Sequence, residues 1–90
     1  MTPADRPVLP RGVRLHQDRV RGVPVLLGPE TALMLDPVGQ AVLAEVDGRR
    51  DIAAISAALA ERYAAPVEMI QSDVIEFLDD MAARRLVEVA

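Results

Sequence analysis

The 90-residue chain contains no cysteine and no lysine, and Tyr63 and Phe77 are its only residues of the Phe, Tyr and Trp class. Without cysteine there is no disulfide framework and no thiolate chemistry, which fits a protein of the cytosol. Without lysine there is no amine for Schiff-base or general-base chemistry. No apolar run approaches the roughly 18 residues that a membrane span needs. We therefore expect a cytoplasmic protein that does not associate with membranes.

The remaining inventory of reactive side chains is small. His16 is the only histidine, whereas a zinc site needs three or four ligands. Ser56 and Ser72 are the only serines, and each lies within a predicted helix with no base nearby in sequence. The acidic residues between positions 76 and 80 are typical of a solvated helix face. No glycine-rich phosphate loop is present. The sequence predicts a protein that is not an enzyme, with no cofactor and no metal site.

Charge is distributed unevenly along the chain. All ten basic residues are arginine, and residues 1–28 carry five of them against two acids, for a net charge of +3. Residues 29–90 carry five arginines against twelve acids, for a net charge of −7. The basic end favours either an acidic partner or a solvated arm, and the sequence leaves both open.

The first part of the chain has the signals of an arm followed by strands. Residues 1–12 contain three prolines and a glycine, which predicts an irregular N-terminal arm ahead of a single domain at 13–90. Alternating apolar residues separated by turn residues then predict strands near 13–18, 23–28 and 31–35. Connections this short favour antiparallel pairing, because parallel strands need a long crossover.

The rest of the domain has helical periodicity. Asp36 and Asp51 can each cap a helix, Pro66 can open a third, and Gly48 can end the first. We predict helices near 37–47, 51–64 and 66–85, the last with the widest apolar stripe. The order of elements predicts an α+β domain, winged-helix-like in layout, with a three-stranded antiparallel sheet followed by three helices.

A winged-helix layout raises nucleic-acid binding as an alternative. A recognition helix beside phosphates needs cationic side chains, but residues 66–85 carry five acids and two arginines. Aromatic stacking platforms for single strands are also missing. The composition therefore does not favour a nucleic-acid partner.

The third predicted strand suggests a different kind of site. It lies at a sheet edge, with Leu33 and Leu35 on one face and Ala32 and Met34 on the other. An exposed edge can accept a peptide as an added strand. The alternative is that Val8 and Leu9 of the arm cover the second face.

The order of several short motifs resembles the PqqD family of pyrroloquinoline quinone (PQQ) biosynthesis. The motifs, running from Leu9 to Val89, are Leu9-Pro10 before Val13-Arg14-Leu15, Leu26-Leu27-Gly28-Pro29-Glu30 leading to Leu35-Asp36, Asp47-Gly48 before Ile52 and Ile55, Tyr63, and Asp73-Val74-Ile75-Glu76-Phe77-Leu78 before Leu86-Val87. The chain departs from many relatives at Asp51, where they have Thr or Ser, and at Arg85, where they have Gly. It also lacks an aromatic residue that is common in their early strands.

The resemblance implies a peptide chaperone that recognises the leader of a ribosomally made peptide. Such a protein binds the precursor peptide of PQQ and presents it to a radical S-adenosylmethionine enzyme, which joins a Glu and a Tyr of that peptide. Some family members are fused to the oxidase of the same pathway, so this chain could be one domain of a longer protein. The leader adds a strand beside the third strand and packs against the third helix. On this chain the implied peptide-binding residues are Ala32, Leu33, Met34, Leu35, Ile70, Val74, Phe77 and Met81.

Two alternatives stay open at this stage. One is a winged-helix regulator that binds DNA. The other is a docking domain for a modifying enzyme, without a peptide groove of its own.

Overall fold

The computed structural model describes all residues from 1 to 90 and contains five strands and three helices. In chain order they are β1 (Pro7–Val8), β2 (Arg14–Asp18), β3 (Val23–Leu27), β4 (Ala32–Met34), α1 (Pro37–Ala44), α2 (Ile52–Tyr63), α3 (Val67–Ala83) and β5 (Glu88–Val89). The predicted α+β class, with a three-stranded sheet followed by three helices, is confirmed. None of the helices is both long and apolar enough to cross a bilayer.

The main sheet is an antiparallel meander in the order β2-β3-β4, so β2 and β4 are its two edges. The turn between β2 and β3 is held by Asp18, whose carboxylate accepts the backbone N–H groups of Val20 and Arg21 at 3.0 and 3.2 Å. Gly22 closes this turn at a φ of 69°, a left-handed conformation that glycine adopts without a steric penalty. The turn therefore has a defined shape although it projects into solvent.

Strand β4 is shorter than the strand predicted near 31–35. Leu35 donates its N–H to the Pro24 carbonyl at 3.0 Å, but Pro24 has no N–H to return to Leu35. Regular pairing with β3 therefore stops at Met34.

Side-chain caps define the starts of the first two helices, as predicted. The carboxylate of Asp36 accepts the Gly39 N–H at 2.7 Å, and that of Asp51 accepts the Ala54 N–H at 2.8 Å. Helix α1 ends at Ala44, three residues before its predicted end at 47, because the next backbone bonds are shorter-range (Glu45 N–H to Val42). Asp36 lies two residues after β4, and Asp51 directly precedes the buried Ile52. The caps therefore fix where each helix begins relative to the sheet and the core.

A cluster of charged side chains holds the connection between α1 and α2. The Glu45 carboxylate accepts one bond from Arg50 and one from Arg62, each at 2.8 Å, and the Glu45 carbonyl accepts a further bond from Arg50 at 2.7 Å. The N–H groups of Arg50 and Arg49 donate to the Asp47 carboxylate and, helped by the Arg50 guanidinium, lower the pKa of Asp47 from 3.8 to about 2. Asp47 therefore stays ionised well into the acid range and keeps this corner closed.

The N-terminal arm, expected to be irregular, contains the two-residue strand β1. It pairs with β5 at the other end of the chain, and Ala90 donates its N–H to the Arg6 carbonyl at 2.7 Å. The arm also accepts backbone bonds from Gly48 and Ile52. Leu9 packs against the core, as expected for a residue that folds back on the body. These bonds direct the arm toward the start of α2 and the C-terminus.

The core lies between the inner face of the sheet and the helices. Twelve buried apolar residues form one cluster: Leu26, Leu35, Val42, Leu43, Ile52, Ile55, Leu59, Val74, Leu78, Met81, Leu86 and Val87. Every element except β1 and β2 contributes to it or adjoins one of its members directly in sequence. Such a cluster supplies most of the hydrophobic stabilisation of a domain this small.

One polar side chain is enclosed in this apolar interior. Ser56 of α2 is fully buried, and its hydroxyl has no hydrogen-bond partner. We expect Ser56→Ala to raise the free energy of unfolding by about 1 kcal/mol, because it removes an unpaired buried hydroxyl and improves helix propensity. Urea denaturation of the two proteins checks this. Equal or lower stability of the variant would mean that the hydroxyl has a partner in solution, such as the carbonyl one turn earlier.

Candidate functional site

Strand β4 forms one of the two free edges of the sheet. Gly28 donates to the Thr31 carbonyl at 2.8 Å, and Leu35 donates to Pro24. Because backbone groups alternate in direction along an antiparallel strand, positions 31, 33 and 35 face β3. Ala32 and Met34 therefore direct their N–H and C=O groups outward, where no strand of the sheet pairs with them.

The two faces of β4 differ in what covers them. Leu33 lies opposite Leu26 and packs against the core, so its face is the inner one. Met34 lies opposite Val25 on the outer face, and 61% of its surface is exposed. Ala32 shares that face and is also exposed. The predicted distribution of apolar residues on both faces of this strand is what the structure contains, and the arm makes no backbone bond to it.

The eight residues implied for peptide binding divide into two groups. Leu35, Val74 and Met81 belong to the buried core cluster, so their side chains have almost no surface that a peptide could contact. The other five have side-chain surface that a ligand could contact: Ala32, Leu33, Met34, Ile70 and Phe77. Ile70 and Phe77 are half-buried on α3 and pack against the core at its margin.

An apolar cleft of about 260 Å³ lies between the three helices. Ile70, Val74 and Phe77 contribute to it from α3, as do residues of the other helices that sequence reasoning did not select: Pro37, Val38, Ala41, Val42, Leu59 and Tyr63. Val38 and Tyr63 are apolar or aromatic residues that remain exposed at the cleft. Val38 lies in the first turn of α1 and Tyr63 in the last turn of α2. These positions could have indicated their exposure from the sequence, because neighbouring elements cover helix ends less completely than helix centres.

Phe77 connects the cleft to the region where β4 leads into α1. Its ring lies about 3.1 Å from the place where a Cβ on Gly39 would stand, and Asp36 lies at 3.2 Å from the same point. A Cβ at this position would require the ring or the capping carboxylate to shift by a few tenths of an ångström. The cleft therefore begins a few residues beyond the exposed backbone of Met34.

Carboxylates border the cleft on the α3 side. Asp73 is part of its wall, and Asp73, Glu76 and Asp80 line an adjoining shallow groove together with Phe77. Asp80 is paired with Arg84 at 3.5 Å. No group of three or more His, Cys, Asp or Glu side chains is arranged to hold a metal ion. The site thus combines a free backbone edge, an apolar cleft and an acidic rim.

The fold matches three solved structures over nearly the whole chain. The solution NMR structure of the PqqD truncation of Methylobacterium extorquens PqqCD, described as a functional, stand-alone recognition element for ribosomally synthesized and post-translationally modified peptides, is 41% identical, with a TM-score of 0.84 and coverage of 97% of this chain and 93% of that one. PqqD from Xanthomonas campestris is 36% identical, with a TM-score of 0.61 and 96% coverage of both chains. TbiB1, seen with the TbiA(beta) leader peptide, shares the fold at 22% identity, with a TM-score of 0.76 and coverage of 90% and 94%. The protein has the fold of a peptide recognition element.

Sequence comparisons place it more narrowly. The family model for coenzyme PQQ synthesis protein D (PqqD) matches residues 25–87. A PqqA binding protein of Rhizobium meliloti (strain 1021) is 46% identical over 81 residues, which cover 90% of this chain and 83% of the relative. The chain belongs to the PqqD family, and the resemblance drawn from its sequence is confirmed.

One relative carries this domain inside a larger protein. The bifunctional coenzyme PQQ synthesis protein C/D of Methylorubrum extorquens is 42% identical over 85 residues, covering 94% of this chain but 23% of the relative. In that organism the PqqD sequence is therefore fused to a second protein of the same pathway.

Proposed function

We propose that this protein is a cytoplasmic, non-catalytic peptide chaperone that binds the PqqA precursor peptide and presents it to the radical S-adenosylmethionine enzyme that cross-links its Glu and Tyr. The observation that carries the proposal is the free edge of β4 beside the apolar cleft. Relatives of similar length are PqqA binding proteins, which supports the choice of peptide.

The edge and the cleft contribute differently to binding. The outward N–H and C=O groups of Ala32 and Met34 supply main-chain hydrogen bonds to an added strand, and these bonds are independent of the peptide sequence. Selectivity must come from side chains, and the cleft beside Ile70 and Phe77 is large enough for an apolar side chain of the peptide. Backbone pairing therefore sets the register of the peptide. The cleft selects for an apolar side chain at the peptide position that this register places in it.

The same geometry suits a protein that must release its cargo. A disordered leader loses conformational entropy when it becomes a strand, which offsets part of the interaction energy. The binding surface also covers one edge of the peptide only, so its other edge and the remaining residues stay accessible to an enzyme.

An NMR titration of the ¹⁵N-labelled protein with a synthetic PqqA peptide tests this proposal. Shifts should concentrate on the backbone amides of Ala32 and Met34 and on residues around Ile70 and Phe77, with a scrambled peptide as the control. A titration in which these amides do not move would reject the β4 edge as the binding site. That result would favour the alternative function, a docking domain for a modifying enzyme without a peptide groove of its own.

The DNA-binding alternative gains no support from the surface of α3. The side chains beside the cleft are carboxylates, and none of the nine exposed arginines lies within α3. Phosphate groups would be repelled at the helix that a winged helix normally inserts into a groove.

A further inference from the structure

The turn between β2 and β3 reaches the free edge of the sheet. The guanidinium Nη1 of Arg21 lies 3.8 Å from the sulfur of Met34. Met34 is one of the two residues whose backbone faces outward from β4, and its side chain is on the outer face of the sheet. A residue of the β2–β3 turn is therefore placed beside the outer face of β4, next to one of its two outward-facing residues.

Arg21 is both positioned and available. Its backbone N–H is bonded to Asp18, which fixes the base of the side chain, while 66% of the side chain is exposed. Its nearest carboxylate, also from Asp18, is 4.0 Å from Nε, at the limit of an ion pair. Most of the positive charge therefore faces solvent beside Met34 and is free to pair with a ligand.

A strand added at β4 would present its side chains alternately to two different surroundings. A residue directly opposite Met34 has its Cβ about 5 Å away on the outer face, within reach of the Arg21 guanidinium. Neighbouring residues of that strand point to the inner side of the sheet, the side of the helices, where α3 carries the Asp73, Glu76 and Asp80 carboxylates. The positive charge of Arg21 is thus confined to the outer face of such a strand.

We propose that Arg21 is a specificity-determining residue of the β4 edge, selecting a peptide with an acidic side chain on the outer face of the added strand. This inference rests on the proposed function, since it concerns the peptide bound there. It also fixes a spacing. Side chains on opposite faces of a strand are separated by an odd number of positions, so the acidic residue lies one, three or five positions from the apolar residue in the cleft.

Charge reversal on both partners tests the inference. The probe is a synthetic PqqA peptide, together with versions in which each acidic residue is replaced singly by Lys. Arg21→Glu should weaken binding of the unmodified peptide about fivefold at low salt, the effect expected when an exposed ion pair is lost and replaced by repulsion. One of the Lys peptides should regain that affinity with the variant.

The chain offers a matched control in Arg19, which lies in the same turn and carries the same charge without a contact to β4. Arg19→Glu should change affinity less than twofold. Arg21→Gln removes the charge but introduces no repulsion toward the peptide or Asp18. It should change the logarithm of the Kd by about half as much as Arg21→Glu does. An ¹⁵N spectrum of each variant confirms that it folds.

Two results overturn the inference: equal effects of the Arg21 and Arg19 variants, or no Lys peptide that restores binding to Arg21→Glu. If the wild-type protein binds the peptide at β4 with either result, the proposed function stands and only the selection by Arg21 is rejected. If the wild-type protein does not bind the peptide at all, the proposed function fails and the inference fails with it.

Discussion

Met34→Pro should weaken binding of the PqqA peptide by about tenfold or more while the domain stays folded. The substitution removes an outward N–H that no strand of the sheet uses, so the folded state loses no bond between β3 and β4. The peptide loses one main-chain hydrogen bond, worth about 1 kcal/mol. It also meets a pyrrolidine ring at the edge that it must approach closely. Isothermal titration calorimetry with the synthetic peptide measures the change.

The other edge of the sheet provides the control. Gln17 of β2 pairs with Pro24 and, by the same alternation, directs its N–H away from β3. Gln17→Pro should therefore leave peptide affinity within twofold, and Met34→Ala separates the effect of the lost side chain from that of the backbone. Unchanged affinity for Met34→Pro would rule out strand addition at β4.

Val38→Asp should weaken peptide binding about tenfold without destabilising the protein. Val38 is 65% exposed at the cleft and occupies the first turn of α1, where a carboxylate interacts favourably with the helix dipole. When an apolar side chain of the peptide enters the cleft, that carboxylate loses water without gaining a partner. Fluorescence anisotropy with a labelled peptide measures the loss, and thermal unfolding checks the stability.

Met69→Asp is a closely matched control for this change. Met69 is 58% exposed, lies in the first turn of α3 and does not line the cleft. The same charge at a similar helix position should therefore leave affinity nearly unchanged. Equal losses for the two variants would indicate long-range repulsion of the peptide, and no loss for Val38→Asp would mean that the cleft stays empty in the complex.

Local signals predicted most of the fold. Asp36 and Asp51 cap helices because each is extended and its carboxylate accepts the free backbone N–H three residues later. The β2–β3 and β3–β4 turns likewise depend on residues a few positions apart. The pairing of β1 with β5 has no such signal. Two residues near one end meet two near the other, and a two-residue strand leaves no periodicity to detect.

The candidate site was predictable to a smaller extent. Ala32 and Met34 are predicted to share one face of β4, because successive side chains of a strand point to opposite faces. Helical spacing places Val74, Phe77 and Met81 on one face of α3, but it does not determine which of them other elements cover. In the structure Val74 and Met81 are buried, and Phe77 is half-buried. The contact of Arg21 with Met34 depends on the shape of a turn, which spacing alone does not determine.

The pairing of the two chain ends also bears on when the protein can finish folding during its synthesis. Strand β1 leaves the ribosome before every other element of this domain, and its partner Glu88–Val89 leaves it after all of them. Contacts between residues this distant in sequence form late because loop closure is costly. The three-stranded sheet and the connection between α1 and α2 depend on nearer contacts. They can therefore form on the nascent chain, whereas the core with Leu86 and Val87 and the pairing of the terminal strands are completed only after residue 89 has emerged.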